Sequence, residues 1–275
     1  MKAAVRVAGR LARPVSLASR RLRPASSWLT LIGWHRIGDA GDGLTTTLDG
    51  FRRHLDVLDD WGARVLPLDE AVARLRAGTL PPRAVVLTFD DGYASVVEQA
   101  WPILRGRRWP ATMFMVSGYL DPGLRLPWDE GCPDAELVRL MSRGQLEEAA
   151  VSGLDIGSHT VNHPWLPTRD AGELRRELTD SRAQLEDLLH RRIDSVAYPA
   201  GGWTSTVRDA ADRAGYTTGI TVDRGINTAD VDGLTLRRAF APEAPEDLRL
   251  ILDGAYSWLR PLDDWRGRNG RGQLS

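Results

Sequence analysis

Short apolar runs alternate with longer amphipathic stretches along most of this chain, and that alternation restricts it to a fold in which strands and helices follow one another. The clearest strand is Ala84–Phe89 (AVVLTF), an apolar run with β-branched residues at its centre. Strands of this kind are buried on both faces, as in a parallel sheet. Further strands are predicted at 28–34, 64–66, 111–116, 154–157, 196–198, 217–222 and 234–236. Helices are predicted at Leu48–Trp61 with Thr47 as cap, at 69–77 stopped by Gly78, at 94–104 with a kink or an end at Pro102, and at Arg143–Val151, 170–190, 204–214 and 245–258. The longest, 170–190, places Leu174, Leu178, Leu185, Leu188 and Leu189 on one face. Together these make about seven or eight βα units, which argues for an α/β barrel rather than an open sheet. Residues 118–134 are broken by glycine and proline and are read as a loop near the site.

The 275 residues suffice for one large α/β domain, expected at 28–258, between a basic, disordered arm at 1–27 and a flexible Gly/Arg-rich tail at 259–275. The net charge of −1 conceals seven arm cations, Lys2, Arg6, Arg10, Arg13, Arg20, Arg21 and Arg23, so the rest of the chain carries −8. A mildly acidic body and a short arm poor in aromatics give no electrostatic case for nucleic acid. Cys132 is the sole cysteine, which excludes an intramolecular disulfide. The arm lacks the apolar core of a secretory signal, and no run approaches the roughly 18 apolar residues of a membrane span. A cytoplasmic protein, or one peripheral to a membrane surface that its basic arm touches, is the expectation.

Asp90 and Asp91 stand at the C-terminal end of the Ala84–Phe89 strand, followed by Gly92. Asp-Gly is also ordinary turn chemistry, and the acids could simply cap the next helix. His159 and His163, in SHTVNH, follow the 154–157 strand four residues apart, a spacing that lets both face one metal ion from a helical turn or a tight loop. Both pairs fall at C-terminal strand ends, where βα barrels assemble their active sites. Asp91, His159 and His163 would leave open positions on a divalent ion, the mark of a catalytic rather than a structural site, with Asp90 free to act as a base.

In these motifs, and over residues 29–252, the chain resembles the polysaccharide deacetylase family, also called the NodB-homology or carbohydrate esterase family 4 proteins. The resemblance implies a distorted (β/α)7–8 barrel. It also implies that Asp90, in Thr88-Phe89-Asp90-Asp91-Gly92, is the catalytic base and that Asp91, His159 and His163 bind the metal. The third motif has its counterpart in Ala197-Tyr198-Pro199-Ala200-Gly201, similar to a branch that reads Tyr-Pro-Tyr-Gly, with Ala200 replacing the second tyrosine. Tyr198, Pro199 and Ala200 are thereby implied in substrate binding, and the backbone N–H groups of Tyr93 and Ala200 in holding an oxyanion.

No histidine follows His190, although the family commonly carries a general acid near its C-terminus. One branch carries it early, in a Tyr-His-Arg motif that Trp34-His35-Arg36 resembles, which makes His35 the implied acid. A histidine making a local hydrogen bond at a strand end is the alternative. Arg238 matches an arginine of that branch that would orient Asp90, Arg237 is a nearly equal candidate, and a solvated surface pair is the plain alternative. His54, His190 and Cys132 are assigned no catalytic role. The expected activity is removal of an N-acetyl group from a carbohydrate, with Zn²⁺ the default ion and Co²⁺, Ni²⁺ or Fe²⁺ compatible with the same ligands. An O-acetyl sugar esterase or small-molecule amide hydrolase, and a catalytically silent glycan-binding protein, are the rival readings.

Overall fold

The computed structural model describes residues 28–40, 42–121 and 123–255. The predicted arm at 1–27, the tail at 259–275 and residues 256–258 of the last predicted helix lie outside the described residues. In chain order the elements begin with β1 (Leu29–Trp34), β2 (Arg36–Ile37), β3 (Thr45–Thr46), α1 (Leu48–Trp61), β4 (Arg64–Val65), α2 (Leu68–Ala77) and β5 (Ala84–Phe89). They continue with α3 (Trp101–Arg107), β6 (Thr112–Met115), α4 (Arg143–Val151), β7 (Asp155–Ser158), α5 (Ala171–Arg175), α6 (Ser181–Leu189) and β8 (Ser195–Ala197). The last are α7 (Ser205–Arg213), β9 (Thr218–Ile220), β10 (Ala239–Phe240) and α8 (Leu248–Leu252).

Eight strands form one sheet in the order β10-β1-β5-β6-β7-β8-β9, with β4 beside the start of β5, and every pair is parallel. The sheet curls, and the stretch 233–241 reaches from its last strand to its first. Leu236 N donates to Gly219 O of β9 at 2.8 Å, and Ala241 N donates to Gly33 O of β1 at 2.9 Å. A strand predicted at 234–236 is therefore corrected: Leu236 makes one bridge to Ile220, and the strand proper is β10. The segment changes partner midway, so neither ladder grows long.

Strand alternation decides which residues line the barrel. Ala84, Val86, Thr88 and Asp90 share the face on which Leu29, Leu31, Gly33 and His35 fall by register, since Leu29 pairs with Ala84 and Gly33 with Thr88. Val85, Leu87 and Phe89 face the helices instead, in the larger core cluster with Phe51, Leu55 and Leu58 of α1. Glycine is required inside: a Cβ on Gly33 would come within 2.9 Å of the Phe240 ring, and one on Gly157 within 2.4 Å of the Phe114 ring.

Thr47 caps α1 as expected, its hydroxyl accepting from Gly50 N at 2.9 Å, and Gly62 ends it in the left-handed region. Three helix expectations need correction. Pro102 does not end its helix; a π turn over Val96–Ala100 carries the chain into α3, with Trp101 N donating to Val96 O, and the proline falls in the first turn where no N–H is needed. The long helix predicted at 170–190 is interrupted by a π turn over Arg176–Asp180, and it ends at Leu189 because His190 is left-handed at φ 51°. Within that turn the Leu178 carbonyl takes an extra donor, the Tyr216 hydroxyl at 2.9 Å. The helix predicted at 245–258 opens as a 3-10 turn over Pro245–Asp247, and α8 itself ends at Leu252, with 253–255 in a turn.

Candidate active site

Asp90 extends the inward face of β5, and Arg238 reaches it from the closing stretch just before β10. Nη1 donates to Oδ1 at 2.6 Å and Nη2 to Oδ2 at 2.5 Å, while Nη1 also donates to the Thr88 hydroxyl at 3.1 Å. Thr88 is held in turn by donating to Ile32 O at 3.0 Å. The guanidinium is fully buried between the Phe114 and Phe240 rings. Burial alone would raise the Asp90 pKa, but the Arg238 charge beside it outweighs that, leaving it at about 2. Arg237, the other candidate, turns away: its Nη1 donates to Ile226 O at 3.2 Å and its backbone N to Asn227 Oδ1 at 2.8 Å.

One residue later the chain leaves the strand abruptly. Asp91 has φ 73° and Gly92 φ 88°, so the strand pleat is broken here, and Asp91 lines the same cleft as Asp90. It is buried, and Oδ1 has no hydrogen-bond partner. Facing that oxygen are His159 Nε2 at 3.5 Å and His163 Nε2 at 3.7 Å. His159 lies at the end of β7, with Nδ1 2.7 Å from Ala197 O, so Nδ1 carries the proton and the Nε2 lone pair points at Asp91. His163 is carried by a tight loop rather than a helix. Thr160 and His163 are both left-handed, the Thr160 hydroxyl accepts from His163 N at 3.0 Å, and Glu177 Oε2 accepts from Val161 N and Asn162 N at 3.0 and 2.9 Å.

Burial keeps both rings neutral, lowering His159 and taking His163 to about 3 with help from the neighbouring His159. Burial also raises Asp91 well above the usual carboxylate range, and the charges of Asp90 and Asp129 push it the same way. The ligand atoms of Asp91, His159 and His163 all lie within 4.8 Å of one another. A buried carboxylate oxygen without a partner and two neutral imidazoles whose Nε2 atoms face it fit a divalent cation. Four of the seven left-handed non-glycine residues described, Asp91, Thr160, His163 and Ala200, cluster here, as backbone strain does at functional sites.

A cleft of about 170 Å³ opens over these groups, and His35, Trp128 and Ala200 form its walls. The His35 ring stacks on Phe240 with centroids 4.3 Å apart, and burial lowers its pKa to about 4. Ala200 has φ 49° and faces solvent at the mouth. The remaining implied residues keep their side chains out of the cleft. Tyr198 is fully buried and its hydroxyl donates to Leu234 O at 2.9 Å, supporting the barrel wall; Pro199 is buried beside it. The Tyr93 side chain is buried beneath the cleft, its hydroxyl donating to Asp129 Oδ2 at 2.6 Å.

Sequence reasoning passed over Arg36, Trp128 and Asp129, which form one network with Tyr93 at the cleft wall. His54, assigned no catalytic role, lies outside the cleft lining and ties α1 to its neighbours: its Nδ1 accepts the Trp34 indole N–H at 3.3 Å while Nε2 lies 2.8 Å from Pro242 O. Its spacing from Phe51, Leu55 and Leu58 on the buried face of α1 was the available signal.

The description of the polysaccharide deacetylase family matches residues 77–219, just over half of the chain. The chain belongs to the polysaccharide deacetylase family. That match spans Asp90, Asp91, His159 and His163, whereas His35 and Arg238 lie outside it and are tied to the site by geometry. Among solved structures, this deacetylase is similar to the Streptococcus pyogenes deacetylase PplD in complex with acetate, at 26% identity and TM-score 0.70, covering 82% of this chain and 98% of that one. It is similar as well to IcaB from Ammonifex degensii, at 25% identity and TM-score 0.71, covering 83% and 97%. Among curated proteins, the poly-β-1,6-N-acetyl-D-glucosamine N-deacetylase of Staphylococcus epidermidis is 24% identical over 226 residues, 79% of this chain and 71% of that protein. The curled parallel sheet is thus that of the NodB-homology, carbohydrate esterase family 4 hydrolases. No helix among the described residues is long and apolar enough to cross a membrane.

Proposed function

We propose that this polysaccharide deacetylase is a metal-dependent de-N-acetylase acting on N-acetylglucosamine units. The observation that carries the reading is an Asp90 carboxylate, kept ionised by Arg238, at one cleft with the buried Asp91 and His159 and the half-buried His163. The sugar follows the activity named for the Staphylococcus epidermidis relative, and acetate, named with PplD, is the acid such a reaction releases. Asp91, His159 and His163 would hold the ion, with Zn²⁺ the first choice for one carboxylate and two imidazoles and Co²⁺, Ni²⁺ or Fe²⁺ compatible. A divalent ion bound there supplies Lewis acidity to the acetyl carbonyl and the attacking water.

The chain's own residues supply the proton transfers. Asp90, an anion throughout the neutral range, takes one proton from the water as its oxygen bonds to the acetyl carbon. The carbonyl electrons move to oxygen, and the backbone N–H groups of Tyr93 and Ala200 receive the resulting oxyanion. His35 then protonates the amide nitrogen, the C–N bond breaks with its electron pair on nitrogen, and acetate and the amino sugar leave. The resting His35 ring is neutral because burial lowers its pKa to about 4, so the proton it delivers is the one Asp90 took from the water: Asp90, at about 2, is the weaker base, and negative charge building on the substrate draws that proton on to His35.

Acetate release from N-acetylglucosamine oligosaccharides, measured with metal-stripped protein before and after reloading with Zn²⁺ or Co²⁺, tests the reading. Release that requires the ion and vanishes in Asp90→Asn is expected. Ion-independent release, or glycan binding without release under any ion, overturns it.

A further inference from the structure

Pro127–Asp129 is a single 3-10 turn whose last two side chains part company. Asp129 is buried, while Trp128 beside it keeps 40% of its surface exposed. Asp129 Oδ1 accepts from Arg36 Nη1 at 2.5 Å and Oδ2 from the Tyr93 hydroxyl at 2.6 Å. That hydroxyl accepts the Trp128 indole N–H at 3.0 Å, so the one polar atom of the ring is satisfied inward. The ring itself stands edge to face against His163, centroids 4.5 Å apart at 60°. Leu126, next to the turn, packs under it with Tyr93, Val116 and Leu140.

An exposed tryptophan forgoes hydrophobic stabilisation, and loose packing does not explain this one, because a buried ion pair and a hydrogen bond hold it. Of the three exposed large hydrophobic residues among those described, Leu124 and Trp128 lie on this loop and only Val151 lies elsewhere. Trp128 also lines the cleft that holds Asp90 and His35. A pyranose ring presents a patch of C–H groups on one face, which packs against a rigid aromatic surface with little entropy lost by the protein. We propose that Trp128 is the sugar-stacking wall of the cleft, holding the pyranose that bears the acetyl group, and that Arg36, Asp129 and Tyr93 are positioning residues that fix it there. The proposal rests on the deacetylase reading for its substrate class.

The experiment titrates a β-1,6-linked N-acetylglucosamine pentasaccharide calorimetrically into the Zn²⁺-loaded Asp90→Asn protein, alone and combined with Trp128→Ala or Trp128→Phe. Steady-state acetate release is followed in the same Trp128 variants with Asp90 intact. Trp128→Ala is expected to weaken binding about tenfold and to raise KM more than it lowers kcat; Trp128→Phe, which keeps a ring, recovers most of the binding. Equal affinity in all three proteins, or a fall in kcat with KM unchanged, overturns the proposal. Absence of acetate release from the wild type, with binding still weakened by Trp128→Ala, sinks the deacetylase reading while the stacking wall stands.

Discussion

Arg238 grips both oxygens of Asp90 from 148 positions further along the chain. The pair is buried, so removing one partner strands a charge in the interior at a cost of about 3–5 kcal/mol. Arg238→Met should therefore lower the unfolding midpoint in urea and, by freeing Asp90 from the charge that depresses its pKa to about 2, raise that pKa. A carboxylate base works only above its pKa. The acid limb of the pH profile of kcat/KM should move to higher pH in Arg238→Met, and an unmoved limb would show that Asp90 is not the group titrating there.

Asp91 is costly to the metal-free protein, since burial and the neighbouring acids oppose its ionisation. Asp91→Asn should leave the chelated protein as stable as the wild type or more so. Zn²⁺ at a hundred times its Kd should stabilise the wild type by about 2.7 kcal/mol and leave Asp91→Asn unmoved. Thermal unfolding with and without the ion makes the comparison; an equal Zn²⁺ shift in both would remove Asp91 from the ligand set.

On the proposed mechanism, His35 should matter in proportion to how poorly the leaving group departs. Its replacement by alanine should slow amide hydrolysis about 10²–10⁴-fold, the usual range for a positioned acid, and slow an aryl acetate far less. Equal losses on the two substrates would argue that His35 shapes the cleft rather than donating a proton.

His54 ties α1 to Trp34 and Pro242 as a neutral ring, and burial lowers its pKa from 6.5 to about 4. The unfolded chain takes up the proton first as pH falls. The stability it contributes is complete above pH 6.5 and is lost on the way down to about 4, a span worth about 3 kcal/mol. Urea titrations at pH 7 and 4.5 should show a smaller pH dependence for His54→Gln than for the wild type; identical slopes would assign the effect to other groups.

What was legible in the chain follows from locality. Ala84–Phe89 and the Asp90-Asp91-Gly92 turn are contiguous, and His159 and His163 share one loop, so strand pattern and motif spacing suffice to find them. Arg238 was visible as one of two neighbouring arginines, yet only the packing of the closing stretch separates it from Arg237. The Trp128 and Asp129 network was beyond reach, because its partners Arg36 and Tyr93 are distant in sequence and a 3-10 turn in an irregular loop has no period. Tyr198 misled for a related reason: a motif names a position, while the pleat decides that its side chain faces Leu234. Both π turns escaped because a single extra residue per turn barely disturbs the apolar spacing.

The closing stretch 233–241 has a consequence for how the protein comes into being. Every candidate metal ligand lies at or before His163, so a nascent chain can acquire its ion-binding groups while the barrel is still open. Arg238 arrives only when the stretch has joined β9 to β1. Until that seam is sewn, Asp90 lacks its counter-charge, and on the proposed reading the ligand set is assembled before the base is tuned.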